Sequence, residues 1–151
     1  MAKFVYRLQN VLDIKIRLET QAKTEFAAAM SKVMAEEDKM RALIAKRRGY
    51  QDEIRQYSTG KIDVARLKIS NDSIKAVEEL RKQQAVRLRT AQRKLDKARE
   101  KLNEAVADRK VHEKLKEKAF EEFKAELNNE EKKEIDQLVS FTYNDKGKDT
   151  D

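Results

Sequence analysis

The sequence lacks cysteine, proline and tryptophan, and it contains only three glycines in 151 residues. Without cysteine the chain has no disulfide, no thiolate nucleophile and no cysteine metal site, which suits a reducing compartment. Because proline and glycine are the residues that most often end helices and form turns, their scarcity favours long uninterrupted helices. Aromatic residues make up 6% of the chain and charged residues 42%, which leaves too little apolar material for a multilayered globular core.

Long apolar runs are absent as well. No window approaches the ~18 consecutive apolar residues of a membrane-spanning helix. Charged side chains also interrupt the beginning of the chain, at Lys3, Arg7, Asp13, Lys15 and Arg17. We therefore expect no signal peptide, no spanning helix and a cytoplasmic protein whose membrane contact is only peripheral.

Two stretches instead carry apolar residues at alternating steps of four and three, the spacing typical of a coiled-coil seam. The first track comprises Ala22, Phe26, Ala29, Val33, Glu36, Met40, Leu43, Arg47, Tyr50, Ile54 and Tyr57. The second comprises Leu67, Ser70, Ile74, Val77, Arg81, Gln84, Leu88, Ala91, Leu95, Ala98, Leu102, Ala105, Arg109 and His112. After Val111 the apolar residues shift to Leu115, Ala119, Phe123 and Leu127. The tracks predict helix one over about 4–57 and helix two over about 63–141.

The predicted turn covers residues 58–62. Gly60 can take the positive φ that ends a helix, and Asp63 is a suitable N-cap for helix two. Two places weaken the pattern: Lys15 and Glu19 do not fit the first track, so we expect a shifted stripe or local unwinding there. A kink or an alternative helix start is expected at 70–73, where short polar side chains compete for backbone hydrogen bonds.

A turn centred on Gly60 places the two tracks opposite each other, with Val33 facing Leu88 and Glu36 facing Gln84. The sequence therefore predicts an all-α fold, a long antiparallel two-helix coiled-coil hairpin that forms one domain over 1–143, followed by a disordered tail over 144–151. By the same register Phe4 reaches only Glu117, so helix two has a C-terminal overhang. Its apolar residues without an intramolecular partner are Phe120, Phe123, Leu127, Ile135, Leu138, Val139 and Phe141, and they favour docking or oligomerisation.

Few residues in this sequence are candidates for catalysis or metal binding. His112 is the single histidine, it lies on a seam, and no nucleophile is near it. The acidic pairs 121–122 and 130–131 are adjacent in sequence and therefore point to different sides of a helix. We expect no catalytic residue, no cofactor, no metal site and no small-molecule substrate.

Positive charge is concentrated in one segment. Residues 81–101 contain nine basic and two acidic side chains, a difference of +7 that equals the net charge of the whole chain. Such a segment can follow a phosphate backbone, but it contains no aromatic residue to stack on bases, so the sequence favours an acidic protein or membrane surface over nucleic acid.

Three segments of the chain resemble one known family. They are FVYRLQNVLDIK, YQDEIRQY just before the glycine turn, and DRKVHEKLKEKAFEEFKAELNNEEKKEIDQLVSF. Together they resemble the flagellar export protein family FliJ over nearly the whole chain. Where the family often has an acidic pair, this chain has Asp136 and Gln137.

The resemblance implies a non-enzymatic component of bacterial type III flagellar export, needed for motility. It implies an antiparallel coiled coil similar to the central stalk of rotary ATPases, placed in the hexameric export ATPase at the inner face of the cell membrane. Further implied partners are the cytoplasmic domain of the export gate and substrate chaperones.

The resemblance also assigns residues to partners. The ATPase would contact the terminal ends of the helices through Phe4, Leu8, Leu12, Arg109, Lys110, Leu115, Lys118 and Phe123. The export gate would contact the turn side through Tyr50, Ile54, Ile74 and Val77. Two other functions remain open from the residues alone: a basic coiled-coil nucleic-acid-binding protein and a self-associating scaffold.

Overall fold

A computed structural model describes residues 2–146 of the chain, with side chains over residues 2–142. It contains two α-helices, α1 (Gln9–Ser58) and α2 (Val64–Lys146), and no strand within the described residues. The helices pack against each other, which confirms the predicted all-α helical hairpin. Residues 144–146 of the predicted tail belong to α2, and residues 147–151 lie outside the described part of the chain.

Helix α1 begins five residues later than predicted, at Gln9 instead of Phe4. Phe4, Val5 and Tyr6 are poor helix formers, and no capping side chain precedes them. The backbone N–H of Gln9 donates to the carbonyl of Tyr6 at 3.2 Å, which forms the turn that leads into the helix. The residues before Gln9 therefore follow a non-helical path.

The connection between the helices behaves as the sequence predicts, although it covers residues 59–63. The hydroxyl of Ser58 donates to the carbonyl of Ile54 at 2.7 Å, and Gly60 takes a φ of 78°. The carboxylate of Asp63 then accepts the backbone N–H of Arg66 at 3.2 Å, the geometry of an N-cap. Helix α2 starts directly after this cap and extends five residues beyond its predicted end.

Contacts divide the chain into two compact units. The end unit contains Met1–Leu18 and Val106–Asp151, and the turn unit contains Glu19–Ala105. The single-domain expectation stays a prediction. Each unit pairs a segment of α1 with a segment of α2, so each has its own portion of the seam.

In the turn unit the seam confirms both predicted tracks. The apolar side chains buried there are Ala22, Val33, Val77, Ala91 and Ala98. Buried polar residues share the same track, and among them Ser70 donates its hydroxyl to the Glu53 carboxylate at 3.1 Å. Helix α2 begins at Val64 and runs through 70–73, so no helix starts there.

The expected break near Lys15 and Glu19 is wrong, because α1 is one continuous helix across both residues. Glu19 is only 5% exposed and Lys15 is half-buried, so both occupy seam positions. Long polar side chains can pack their aliphatic stems on a seam and keep their charges paired at its edge. Lys23 pairs with Glu19 at 3.2 Å, and Lys15 pairs with Asp108 at 3.6 Å.

In the end unit an aromatic cluster corrects the predicted overhang. The ring of Phe4 lies 5.2 Å from that of Phe120 and 5.4 Å from that of Phe123, centroid to centroid. Non-helical chain advances ~3.3 Å per residue against ~1.5 Å in a helix, so Phe4 reaches past Glu117. Phe120 and Phe123 therefore have an intramolecular partner, contrary to the sequence prediction.

The seam in the end unit also differs at one predicted position. Leu115 is exposed, whereas its neighbour Lys116 is half-buried. From there the half-buried positions continue through Ala119, Phe123 and Leu127. Every side chain from residue 128 to Thr142 is exposed. The predicted C-terminal overhang is therefore present, but it begins after Leu127 and contains fewer apolar residues than expected. No helix in the described part of the chain is long and apolar enough to cross a membrane.

Candidate protein-docking surfaces

The residues predicted to contact the ATPase all belong to the end unit, but the structure gives them different roles. Leu12 is 3% exposed and forms the core. Phe4 and Phe123 are half-buried in the aromatic cluster, and Arg109 is half-buried while its guanidinium donates to Glu113 at 2.7 Å. The accessible members of the predicted set are Leu8, Lys110, Leu115 and Lys118.

An apolar face that the sequence analysis missed surrounds Leu115. Val111 lies one helical turn before Leu115, and Ile14 and Leu18 lie one turn from each other on α1. All four side chains are exposed. Leu18 and Leu115 each directly precede a seam residue, and in an antiparallel pair such positions lie on the same side of the seam. We name these four residues the end-unit apolar face. The sequence signal that could have revealed this face is the i, i+4 spacing of these apolar residues at positions outside the seam.

A groove opens elsewhere on the end unit, with a volume of about 550 Å³. Phe4, Leu12, Ile16 and Phe120 supply its apolar lining, while Gln9 and Glu113 supply polar groups. An apolar floor with a polar rim is the chemistry that accepts a helix or peptide of a partner protein. Lys116 and Glu117 also line the groove and add charge to it.

The residues predicted to contact the export gate lie in the turn unit and belong to its seam. Val77 is buried, and Tyr50, Ile54 and Ile74 are half-buried. The accessible apolar side chains near the turn are others, which the sequence analysis did not single out: Ile62, Val64 and Ile69. The Arg66 guanidinium lies over the Tyr57 ring at 5.2 Å, which covers one side of that seam residue.

A buried polar pair fixes the register of the turn unit, as the sequence predicts. The side-chain amide of Gln84 donates to both the carboxylate and the backbone carbonyl of Glu36, the latter at 3.0 Å. Lys32 and Lys39 pair with the other carboxylate oxygen at 3.1 and 3.6 Å. The hydrogen bond from Gln84, followed by that from Lys32, lowers the pKa of Glu36 from 4.5 to about 2.

A second polar contact joins the helices nearer the turn. The carboxylate of Glu78 lies 2.9 Å from Arg47 Nε and 3.2 Å from Arg81. The two arginines that interrupt the predicted seams therefore converge on one acid. Like the contact between Glu36 and Gln84, this ion pair links polar seam positions of the two helices and favours one register.

His112 and the acidic side chains are the residues relevant to catalysis and metal binding. His112 is half-buried on the seam, and its Nδ1 has no hydrogen-bond partner among the described residues. No group of three or more His, Asp or Glu side chains within that part of the chain is placed to hold a metal ion. What the arrangement provides is a set of exposed apolar and charged surfaces on a helical pair.

Comparison with known proteins gives one match. The model of the family described as Flagellar FliJ protein matches residues 4–148, which is nearly the whole chain. No curated protein and no solved structure matches significantly.

Proposed function

This chain belongs to the flagellar FliJ family, and we propose that it couples the flagellar export ATPase to the export gate without being an enzyme itself. Family membership implies a component of the flagellar export apparatus. The observation that carries the finer proposal is the presence of separate exposed apolar surfaces in the end unit and near the turn. Exposed apolar faces of this kind are typical of sites that bind partner proteins.

The proposed ATPase contact is the end-unit apolar face. Val111 and Leu115 present adjacent apolar side chains, and Lys110 and Lys118 add positive charge to the same segment of α2. Leu12 and the Phe4 cluster play a supporting part, because they join α1 to α2 within the same unit. In this proposal, some of the residues that the resemblance assigns to the ATPase contact it directly, and the others support the surface that does.

The proposed gate contact lies near the turn. Ile62, Val64 and Ile69 are exposed apolar side chains there, whereas Tyr50, Ile54, Ile74 and Val77 are seam residues of the same unit. For substrate chaperones the overhang is the proposed surface, since Ile135, Leu138, Val139 and Phe141 are exposed on helix without a facing partner. Amphipathic helices commonly dock through such stripes.

ATPase turnover, measured over a concentration series of the chain, tests the first contact. We expect the wild-type chain to raise turnover and the variant with both Val111→Glu and Leu115→Glu to lose this effect. The matched control carries Val111→Ile and Leu115→Met, which keep both positions apolar and should keep the stimulation. Both positions are exposed, so neither variant should change thermal unfolding appreciably. Unchanged turnover with the wild-type chain at every concentration would reject the ATPase contact.

A further inference from the structure

The turn unit carries a basic groove beside its seam that the proposed function does not use. Two adjoining depressions, of about 340 and 300 Å³, share Lys39 and Arg87. Lys32 and Lys94 line the first depression, and Lys46 lines the second. Five cationic side chains therefore border one continuous concave surface, which we name the basic groove.

The single acidic residue in this lining is already engaged. Glu36 accepts Gln84 and pairs with Lys32 and Lys39. Lys46, Arg87 and Lys94 have no ion pair within the described residues. Five positive charges against one negative charge leave the lining at +4.

Charge of one sign on both helices does not help the hairpin to fold. Lys32, Lys39 and Lys46 each precede a seam position of α1, and Arg87 and Lys94 each precede a seam position of α2. These flanking positions usually carry opposite charges that attract each other across the two helices. Like charges there oppose folding, so stability alone does not explain the groove.

The floor and the spacing of the groove indicate which ligand fits it. Leu80 directly precedes the seam residue Arg81 and is 49% exposed in the groove, and Val86, 59% exposed, adds apolar surface at the outer edge of the α2 wall. On each helix the cations are seven residues from one another, which is ~10.5 Å along the axis and equals the heptad repeat of a neighbouring helix. A third helix with an apolar stripe and acids at its flanks would match both features.

Other polyanions match less well. None of the side chains that line the basic groove is aromatic, so bases would have nothing to stack on. An anionic lipid surface is flat on this scale and would leave the floor of the groove uncovered. The repeat, the apolar floor and the unpaired cations together favour a protein helix.

We propose that the basic groove binds an acidic amphipathic helix of a partner protein, which lies along the seam as a third strand of the coiled coil. The apolar stripe of that helix covers Leu80 and Val86. Its acidic flanks pair with Lys46, Arg87 and Lys94, while Lys32 and Lys39 stay shared with Glu36. This contact is separate from the ATPase and gate surfaces and does not depend on them.

The test uses a fluorescent synthetic helix of several heptads, with leucine at the two seam positions and glutamate at the flanking positions. Its glutamates repel a second copy, which keeps the probe monomeric. Titration with the full chain should give saturable binding that weakens as salt is raised. The variant with Lys46→Glu, Arg87→Glu and Lys94→Glu should bind at least about tenfold more weakly. The same variant should unfold at an equal or higher temperature, because it removes like-charge repulsion.

The matched control reverses three exposed cations on the other side of the same unit, with Arg48→Glu, Lys82→Glu and Arg89→Glu. It has the same net charge as the groove variant and should bind the probe nearly as well as the wild type. Equal losses in the two variants would show only long-range attraction and would overturn the proposal. It is also overturned if a lysine-flanked probe binds as well. Tighter groove-dependent binding of a single-stranded oligonucleotide or of phosphatidylserine vesicles than of the probe would equally overturn it.

Discussion

Glu36 shows how a charged residue can occupy the seam of a coiled coil without opening it. Glu36 is only 3% exposed, yet its carboxylate has three partners. Gln84 donates to it from the other helix, and Lys32 and Lys39 pair with it from the same helix. Burial of an unpaired carboxylate would oppose folding. Here the same contacts favour the charged form and couple stability to pH.

The pH dependence of unfolding has a definite sign. The pKa of Glu36 is about 2 in the folded chain against 4.5 for the ordinary group, so the unfolded chain binds more protons between these values. The stabilisation is complete above about pH 4.5 and is lost as the pH falls through about 2. Urea unfolding from pH 7 to pH 2 should therefore show a smaller pH-dependent loss for Glu36→Gln than for the wild type. Parallel curves for the two proteins would contradict the role of this carboxylate.

Tyr6 is a second residue whose substitution has a predictable sign. Its hydroxyl oxygen is buried and has no hydrogen-bond partner among the described residues. An unsatisfied buried hydroxyl opposes folding, so Tyr6→Phe should raise the free energy of unfolding by about 1 kcal/mol. Tyr50→Phe is the control, because the Tyr50 hydroxyl is not an unpaired buried atom, and it should have no such stabilising effect. Chemical unfolding followed by circular dichroism measures both.

Individual seam residues were largely predictable from spacing, and the exceptions have a common cause. Ala22, Val33 and Val77 are buried because their apolar side chains fall on the heptad repeat. Glu19 falls on the same repeat, but two charged residues in succession, Lys15 and Glu19, interrupt the apolar track there, whereas Glu36 has apolar track residues on both sides. A hydropathy pattern does not reveal a seam position that is occupied by a charged residue with an ion-pair partner, such as Glu19 with Lys23.

At the scale of elements, the two glycines in the described part of the chain differ in backbone conformation. Gly60 has a φ of 78° at the end of α1, whereas Gly49 lies inside that helix. A Cβ added at either position would meet no atom within 4 Å. Substitution therefore tests backbone preference alone, without a steric contribution from neighbours.

We expect Gly60→Ala to lower the free energy of unfolding by about 1 kcal/mol, because a left-handed backbone strains an L-residue. Gly49→Ala should raise it by about 1 kcal/mol, since alanine is the better helix former. Thermal and urea unfolding of the two variants beside the wild type check both signs. A loss in both variants would indicate that the helix around Gly49 needs glycine for another reason.

Helix ends could be predicted only where local chemistry determines them. Gly60 and the Asp63 cap define the connection through their own backbone and side-chain bonds. The start of α1 escaped prediction because Phe4 packs against Phe120 and Phe123, which are distant in sequence. A contact of this kind favours an extended segment, whereas the periodicity of the sequence predicts that the helix continues there.

For the whole molecule, family membership and the helical hairpin could be inferred from motifs and periodicity, whereas the exposed apolar surfaces could not. The resemblance pointed to Leu12 and Val77, which are both buried, while Val111 and Ile69 are exposed. Which side of a helix stays uncovered depends on how the two helices pack. That information becomes available only when the seam is fixed in three dimensions.

The proposed coupling between ATPase and gate can be tested with the intact chain in cells. If one molecule must contact both partners at once, a chain defective at the end-unit apolar face cannot assist a chain defective near the turn. We expect Val111→Glu with Leu115→Glu to abolish motility in cells that lack the wild-type chain, and Val64→Glu with Ile69→Glu to do the same. Co-expression of the two double variants should leave the cells non-motile, whereas either one together with the wild-type chain should allow swimming. Restored motility from the two defective chains would mean that the contacts act on separate molecules, and the coupling role would have to be abandoned even if each contact is real.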